Sequence, residues 1–243
     1  MKLKQSVVYR MKDIRKSILI FYLIVIASYI FTAFLNSLES IHMSQFGGIE
    51  IGSMIFLFIV SMNSFKPAFY LLMQHGVSRK TMFYSFIISA IIASGVMALI
   101  DSICYTLLGT GKSVNTMFEQ VYTGLYDDNL LIKVLVTFVW ALSAYLAFSM
   151  AGYFISVLYY RMNKTLKLIV SITVPSFIFI IMPAIDVYFG WNITRWIGKA
   201  FELMLGTGEN MNPFRSVITC SILSIIGALL SYGLVKKAVV KRN

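Results

Sequence analysis

Apolar side chains in this chain come in long runs, and most charged ones are gathered into the short stretches between them. Six runs, at residues 17–38, 48–65, 82–108, 131–158, 168–188 and 216–235, approach or exceed the roughly 20 residues that a helix needs to cross a bilayer. The pattern predicts an all-α polytopic membrane protein, a bundle of six transmembrane helices. An even number of spans returns both termini to one side. Residues 17–235 are then the transmembrane domain and residues 236–243 a basic tail. Before the first span, Leu3, Val7, Met11, Ile14 and Ile18 recur three or four residues apart, the spacing of one helical face. Residues 1–16 are therefore expected to form an amphipathic interfacial helix attracted by anionic inner-leaflet lipid. A second amphipathic pattern follows the fifth span, where Ile193, Trp196, Ile197, Ala200, Phe201 and Met204 share a face. It is too short to span, and Trp191 and Trp196 suit the membrane interface.

Composition excludes the soluble classes. Of 243 residues, 58% are hydrophobic and only 13% charged, against about 25% charged in soluble domains. The formal net charge of +11 would suggest a polyanion partner in a soluble protein. Here its distribution sets topology instead. Lys2, Lys4, Arg10, Lys12, Arg15 and Lys16 precede the first span; Lys66, Arg79 and Lys80 follow the second; Arg161, Lys164 and Lys167 follow the fourth; Lys236, Lys237, Lys241 and Arg242 follow the sixth. Only Lys112, Lys133, Arg195, Lys199 and Arg215 belong to the other end. The positive-inside rule makes the first end cytoplasmic, with both termini inside. No nucleic-acid partner is needed to explain the charge. The first apolar run is too long for a cleaved signal and reads as an uncleaved anchor.

Few residues offer chemistry of their own. Gly109, Thr110, Gly111, Lys112 and Ser113 look like the end of a phosphate-binding loop, but Thr106 stands where its first glycine belongs and no strand precedes it. His42 and His75 fall on opposite sides of the membrane, and Cys104 and Cys220 lie in apolar runs without metal-ligand spacing. Asp101 and Asp186 are the two carboxylates well inside spans, and intramembrane acids are functional candidates by default. Neither sits in the Gly-x-Gly-Asp signature of an intramembrane aspartyl protease, and both are expected near the outer helix ends, within reach of water. Pro175 and Pro183 interrupt the fifth span; each removes a backbone donor, giving a static kink or a gating hinge. Small residues four apart, Ala90 with Ser94 and Ser143 with Ala147 and Ala151, allow close helix approach.

The turn between spans two and three is the most informative stretch. Pro67 suits the first position of a helix, Gly76 the left-handed cap after its end, and Ser78 the cap of the third span. A short helix over 67–75 is expected, rich in Phe69, Tyr70, Leu71, Leu72 and Met73 and ending at His75. Arg79 and Lys80 start the next helix, where the macrodipole disfavours cations, so an acidic lipid or protein should meet them.

Six spans, the basic amphipathic start and the Gly76–Val77–Ser78–Arg79–Lys80 turn together resemble the permease subunits of type-two ABC exporters, notably small permeases handling antimicrobial or amphipathic peptides. The resemblance implies that residues 67–75 are a coupling helix docking on a separate cytoplasmic ATPase subunit, with Arg79 and Lys80 at its membrane end. It implies a second inner contact at Arg161 and Lys164, a second permease subunit, and a bacterial plasma membrane. No cofactor is expected in this chain; ATP and Mg belong to the partner ATPase. Two other readings stay open: an ATPase-independent immunity or sensor protein that binds an amphipathic peptide, and an intramembrane aspartyl protease using Asp101 and Asp186.

Overall fold

The computed structural model describes residues 2–37, 48–108, 116–126, 129–188, 190, 192–208 and 211–239, with the backbone alone for 32–33, 36–37 and 105–108. The glycine stretch Gly109–Ser113, His42 and Trp191 lie outside the described residues. Five spans are the single helices α1 (Lys2–Ser37), α2 (Ile49–Gln74), α3 (Arg79–Leu108), α5 (Leu130–Arg161) and α9 (Pro213–Lys236). The fifth span in chain order is composite: α6 (Lys164–Ser176), a π-helical turn (Phe177–Ile181) and α7 (Met182–Tyr188). All six are long and apolar enough to cross a membrane, so the chain is an all-α, multi-pass membrane protein. Two shorter helices, α4 (Met117–Val121) and α8 (Asn192–Leu205), follow α3 and α7.

Polar residues at the helix ends fix these boundaries. Asn129 accepts from the backbone of Leu131 and Ile132 to start α5, and Asn212 accepts from Phe214 with Pro213 at the first position of α9. Each cap satisfies donors that have no partner within the helix. Thr116 and Glu119 form a reciprocal capping box on α4.

Packing centres on α5, which lies against α2, α3 and α9. Lipid tails are as apolar as leucine, so close backbone approach and hydrogen bonds drive association between spans. Both operate where α2 crosses α5. Gly152 lies directly on the Phe58 backbone, and the Ser61 and Ser149 hydroxyls bond each other at 2.7 Å. Around this crossing Phe65, Phe69, Phe86, Tyr153 and Val157 form one core; Leu57, Met97, Trp140 and Tyr145 belong to another toward the opposite end.

Residues 2–16 form one unbroken helix with the first span. At 36 residues α1 is about 54 Å long, against about 30 Å of hydrocarbon. It runs parallel to α3: Lys2 bonds Gly76, Arg10 bonds Ser85, and Tyr22 bonds Met97. The buried stripe is Ser6, Arg10, Ile14, Ile18 and Tyr22, whereas Leu3 is exposed and Val7 and Met11 are half-buried.

The fifth span is the least covered, though Tyr159 of α5 meets Ser171 of α6 at 3.1 Å. Asp186 is the one buried residue among those described in α6, the π-turn and α7. Pro175 lies inside α6 and Pro183 is the second residue of α7. Between them the Met182 amide donates to the Phe177 carbonyl, a five-residue step. The interruption is thus a widened helical turn between the prolines.

Candidate functional site

At the cation-rich end of the bundle, the turn joining α2 to α3 has the predicted chemistry but a different foundation. Gly76 has φ 65°, and Val77 and Gly76 donate to the Leu72 and Met73 carbonyls at 3.0 and 3.1 Å, a left-handed helix stop. His75 Nδ1 donates to the Leu71 carbonyl at 2.7 Å. Ser78 accepts from the Thr81 amide at 3.2 Å and caps α3.

Pro67, however, starts no helix: α2 passes through it without a break to Gln74. The reason is the stripe Phe65, Ala68, Phe69 and Leu72, which continues the buried face of α2 onto the core shared with α5. Pro67 and Asn63, whose carbonyl loses its helical donor, lie on the exposed side. The apolar residues of 67–75 are therefore mostly interior. Phe69 and Leu72 are buried and Tyr70, Leu71 and Met73 half-buried, while Gln74, His75, Gly76, Ser78 and Lys80 form the exposed tip.

Two cations at this end meet helix carbonyls of this same chain. Arg79 donates to the Lys236 carbonyl at 2.9 Å and Lys2 to the Gly76 carbonyl at 2.9 Å. Both acceptors close the C-terminal ends of helices, where the macrodipole favours positive charge. Arg79, poorly placed at the start of α3, is compensated by the end of α9. Tyr160 adds a bond to the Val239 carbonyl at 3.0 Å, and Val235 and Ala238 are buried beside it. The first residues of α1, the Gly76 turn and the chain after α9 are thus tied into one face. Arg161 and Lys164 flank the two-residue turn between α5 and α6, and both are exposed.

The side chains of the intramembrane acids are largely covered, at 6% exposure for Asp101 and 1% for Asp186, each by the groups it bonds. Asp101 accepts from Tyr22 and Ser53 at 2.8 Å each, and from Tyr145. One carboxylate thereby joins α1, α2, α3 and α5. Asp186 accepts from the Ile193 and Thr194 amides at 2.7 and 3.1 Å and from the Thr194 hydroxyl. It caps α8 from across the preceding turn. The two acids share no partner and do not bond each other, whereas an aspartic-protease dyad holds its carboxylates about 3 Å apart around one proton.

At the opposite end α8 occupies the segment where an amphipathic helix was expected, and its 14 residues give about 21 Å. Its last turn is held by Tyr122, which donates to the Leu205 carbonyl at 2.5 Å, and by Thr219, which donates to Met204 at 3.0 Å. Burial pushes the Tyr122 phenol up from its ordinary pKa. Trp140 donates to Ser216 at 3.1 Å, joining α5 to α9 beneath it.

Comparison with family models, curated proteins and solved structures finds no match for this chain. Two residues that the sequence reading passed over carry much of the structure. Gly152 sets the α2–α5 distance; the four-residue pattern of small residues stops beside it at Ser143, Ala147 and Ala151. Arg10 reads as one more surface cation, but it is 3% exposed, bonded to Ser85 at 3.2 Å and stacked 5.6 Å from the Phe86 ring centroid. Its four-residue spacing from Ser6 and Ile14 was the available signal.

Proposed function

We propose that this chain is the membrane-spanning permease subunit of an ATP-driven exporter, with both termini cytoplasmic, moving amphipathic or antimicrobial peptides out of the membrane or cell. Two such subunits enclose the pathway, and separate cytoplasmic ABC ATPase subunits bind and hydrolyse ATP with Mg. The observation that carries the reading is the exposed tip formed by Gln74, His75, Gly76, Ser78 and Lys80, at the end of a continuous α2 whose inner part is packed against α5. Motion imposed on the tip passes directly into the spans, as the coupling element of the resembling permeases requires. Arg161 and Lys164, beside the next turn on the same face, suit a smaller contact with that ATPase. The bare fifth span supports a second subunit, since a single copy covers almost none of it. Pro175, Pro183 and the π-turn between them give this span a point of bending for gating.

The test is co-expression with each ABC ATPase encoded in the source genome, those neighbouring this gene first, followed by purification in several mild detergents. A complex should survive with the unaltered chain and be weakened by Lys80→Glu. Failure of the unaltered chain to retain the ATPase in every detergent would overturn the proposal.

A further inference from the structure

Beside the tip, α2, α5 and the first turn of α6 enclose an open groove of about 1140 Å³. Lys66, Lys164 and Lys167 line it together with Asn63, Tyr70 and Tyr159, and no acidic residue does. None of the three lysines forms an ion pair with a described carboxylate. Toward the middle of the spans the lining becomes apolar at Met62 and Ile155. Three cations without counter-charge beside an apolar recess call for an anion attached to a hydrocarbon.

We propose that an anionic phospholipid occupies this groove, its phosphate held by Lys66, Lys164 and Lys167 and its acyl chains running past Met62 and Ile155 along the bare fifth span. An acidic protein segment fits less well, because its backbone would lie on the apolar end. Lys66 is also eight residues before Gln74, about 12 Å back from the tip, behind the surface where a docked protein sits. The lipid would fill the gap between α2 and the exposed fifth span, which α5 meets through the Tyr159–Ser171 hydroxyl bond at 3.1 Å. The site stands whether or not the chain works with an ATPase; where it does, Lys164 holds the lipid and Arg161 is left for the smaller ATPase contact.

Native mass spectrometry of the full chain, in mild detergent with equal amounts of phosphatidylglycerol and phosphatidylcholine, tests this. The unaltered protein should retain phosphatidylglycerol at least about fivefold better. Lys66→Gln, Lys164→Gln and Lys167→Gln together should bring the ratio to parity. The control Arg195→Gln, Lys199→Gln and Arg215→Gln, exposed cations at the opposite end of the bundle, should leave it unchanged. Should the groove variant fail to fold by circular dichroism and gel filtration, Lys66→Gln alone must still lower the ratio. Equal retention by the unaltered and groove variants would overturn the proposal, as would an equal loss in the control. Displacement of the lipid by excess inorganic phosphate would show a free-anion site instead. A groove variant that keeps its lipid but loses ATPase binding or self-association would assign the groove to a protein.

Discussion

Gly152 faces the Phe58 carbonyl so closely that a Cβ placed on it would lie 2.3 Å from the oxygen and 3.2 Å from the Phe58 Cα. The obstacle is backbone, which cannot rotate away, so any side chain at 152 must push α2 and α5 apart. Gly152→Ala should therefore cost about 1–3 kcal/mol, the usual range for overpacking, and should also stretch the Ser61–Ser149 bond. Gly233, with nothing within 4 Å of its Cβ position, is the matched control. Thermal unfolding in detergent should show Gly152→Ala lowered and Gly233→Ala unchanged or slightly raised. Equal midpoints would mean that the two helices are farther apart than described.

Asp101 collects three hydroxyls, so its loss should cost more than loss of any one of them. Hydrogen bonds between spans average about 0.6 kcal/mol and reach about 1.7. Tyr145→Phe or Ser53→Ala should each fall in that range. Asp101→Leu leaves the Tyr22, Ser53 and Tyr145 donors without their carboxylate and should exceed either. Asp101→Asn keeps an acceptor and should be milder than Asp101→Leu. A double-mutant cycle between Asp101→Asn and Tyr145→Phe isolates their bond; additive effects would remove it from the network.

The spans and the helix over Asn192–Leu205 were legible because long apolar runs and helical spacing are local properties of the sequence. So were Gly76 and Ser78, whose turn chemistry depends on neighbours a few residues away. Pro67 misled because a local preference for the first turn lost to burial of Phe69 and Leu72 against α5, a partner more than 80 residues distant. Arg10 and Asp101 were readable as unusual positions, but not their partners, which come from other spans at offsets set by the parallel run of α1 along α3. The exposure of the fifth span was invisible for a simple reason. Its sequence is as apolar as the packed spans, and lipid-facing and helix-facing sides look alike when both want hydrocarbon.

Asp186 closes the N-terminal end of α8, and among the described residues its hydrogen bonds go to Ile193 and Thr194 alone. Asp186→Ala should free that helix end while leaving the α2–α5 core intact. Accessibility of a cysteine introduced at Thr194 is unsuitable, since Thr194 is itself a donor. A cysteine at Trp196, exposed already, serves only as a reference. The sensitive readout is amide exchange over residues 193–196, which should rise strongly in Asp186→Ala and stay near the original in Asp186→Asn. Unchanged exchange in the alanine variant would show that the cap does not hold α8.

Leu72 and Lys80 lie on either side of the Gly76 turn, in α2 and α3, yet should fail in opposite ways. Leu72 is 5% exposed within the α2–α5 core, so Leu72→Asp both removes a packed side chain, worth about 2–5 kcal/mol, and buries a carboxylate without a partner. It should reduce the amount of folded protein, and any loss of transport would follow from that. Lys80 is exposed at the tip, and Lys80→Glu should leave yield and thermal midpoint unchanged. If the tip seats an ATPase, the same variant should lower its retention on co-purification, with transport falling in parallel. Arg79→Gln separates a third effect: it removes the bond to the Lys236 carbonyl, so proteolysis after Lys236 should quicken even though the tip keeps its surface. Loss of folding in Lys80→Glu, or wild-type stability in Leu72→Asp, would reverse the assignment of which side of this turn faces the bundle.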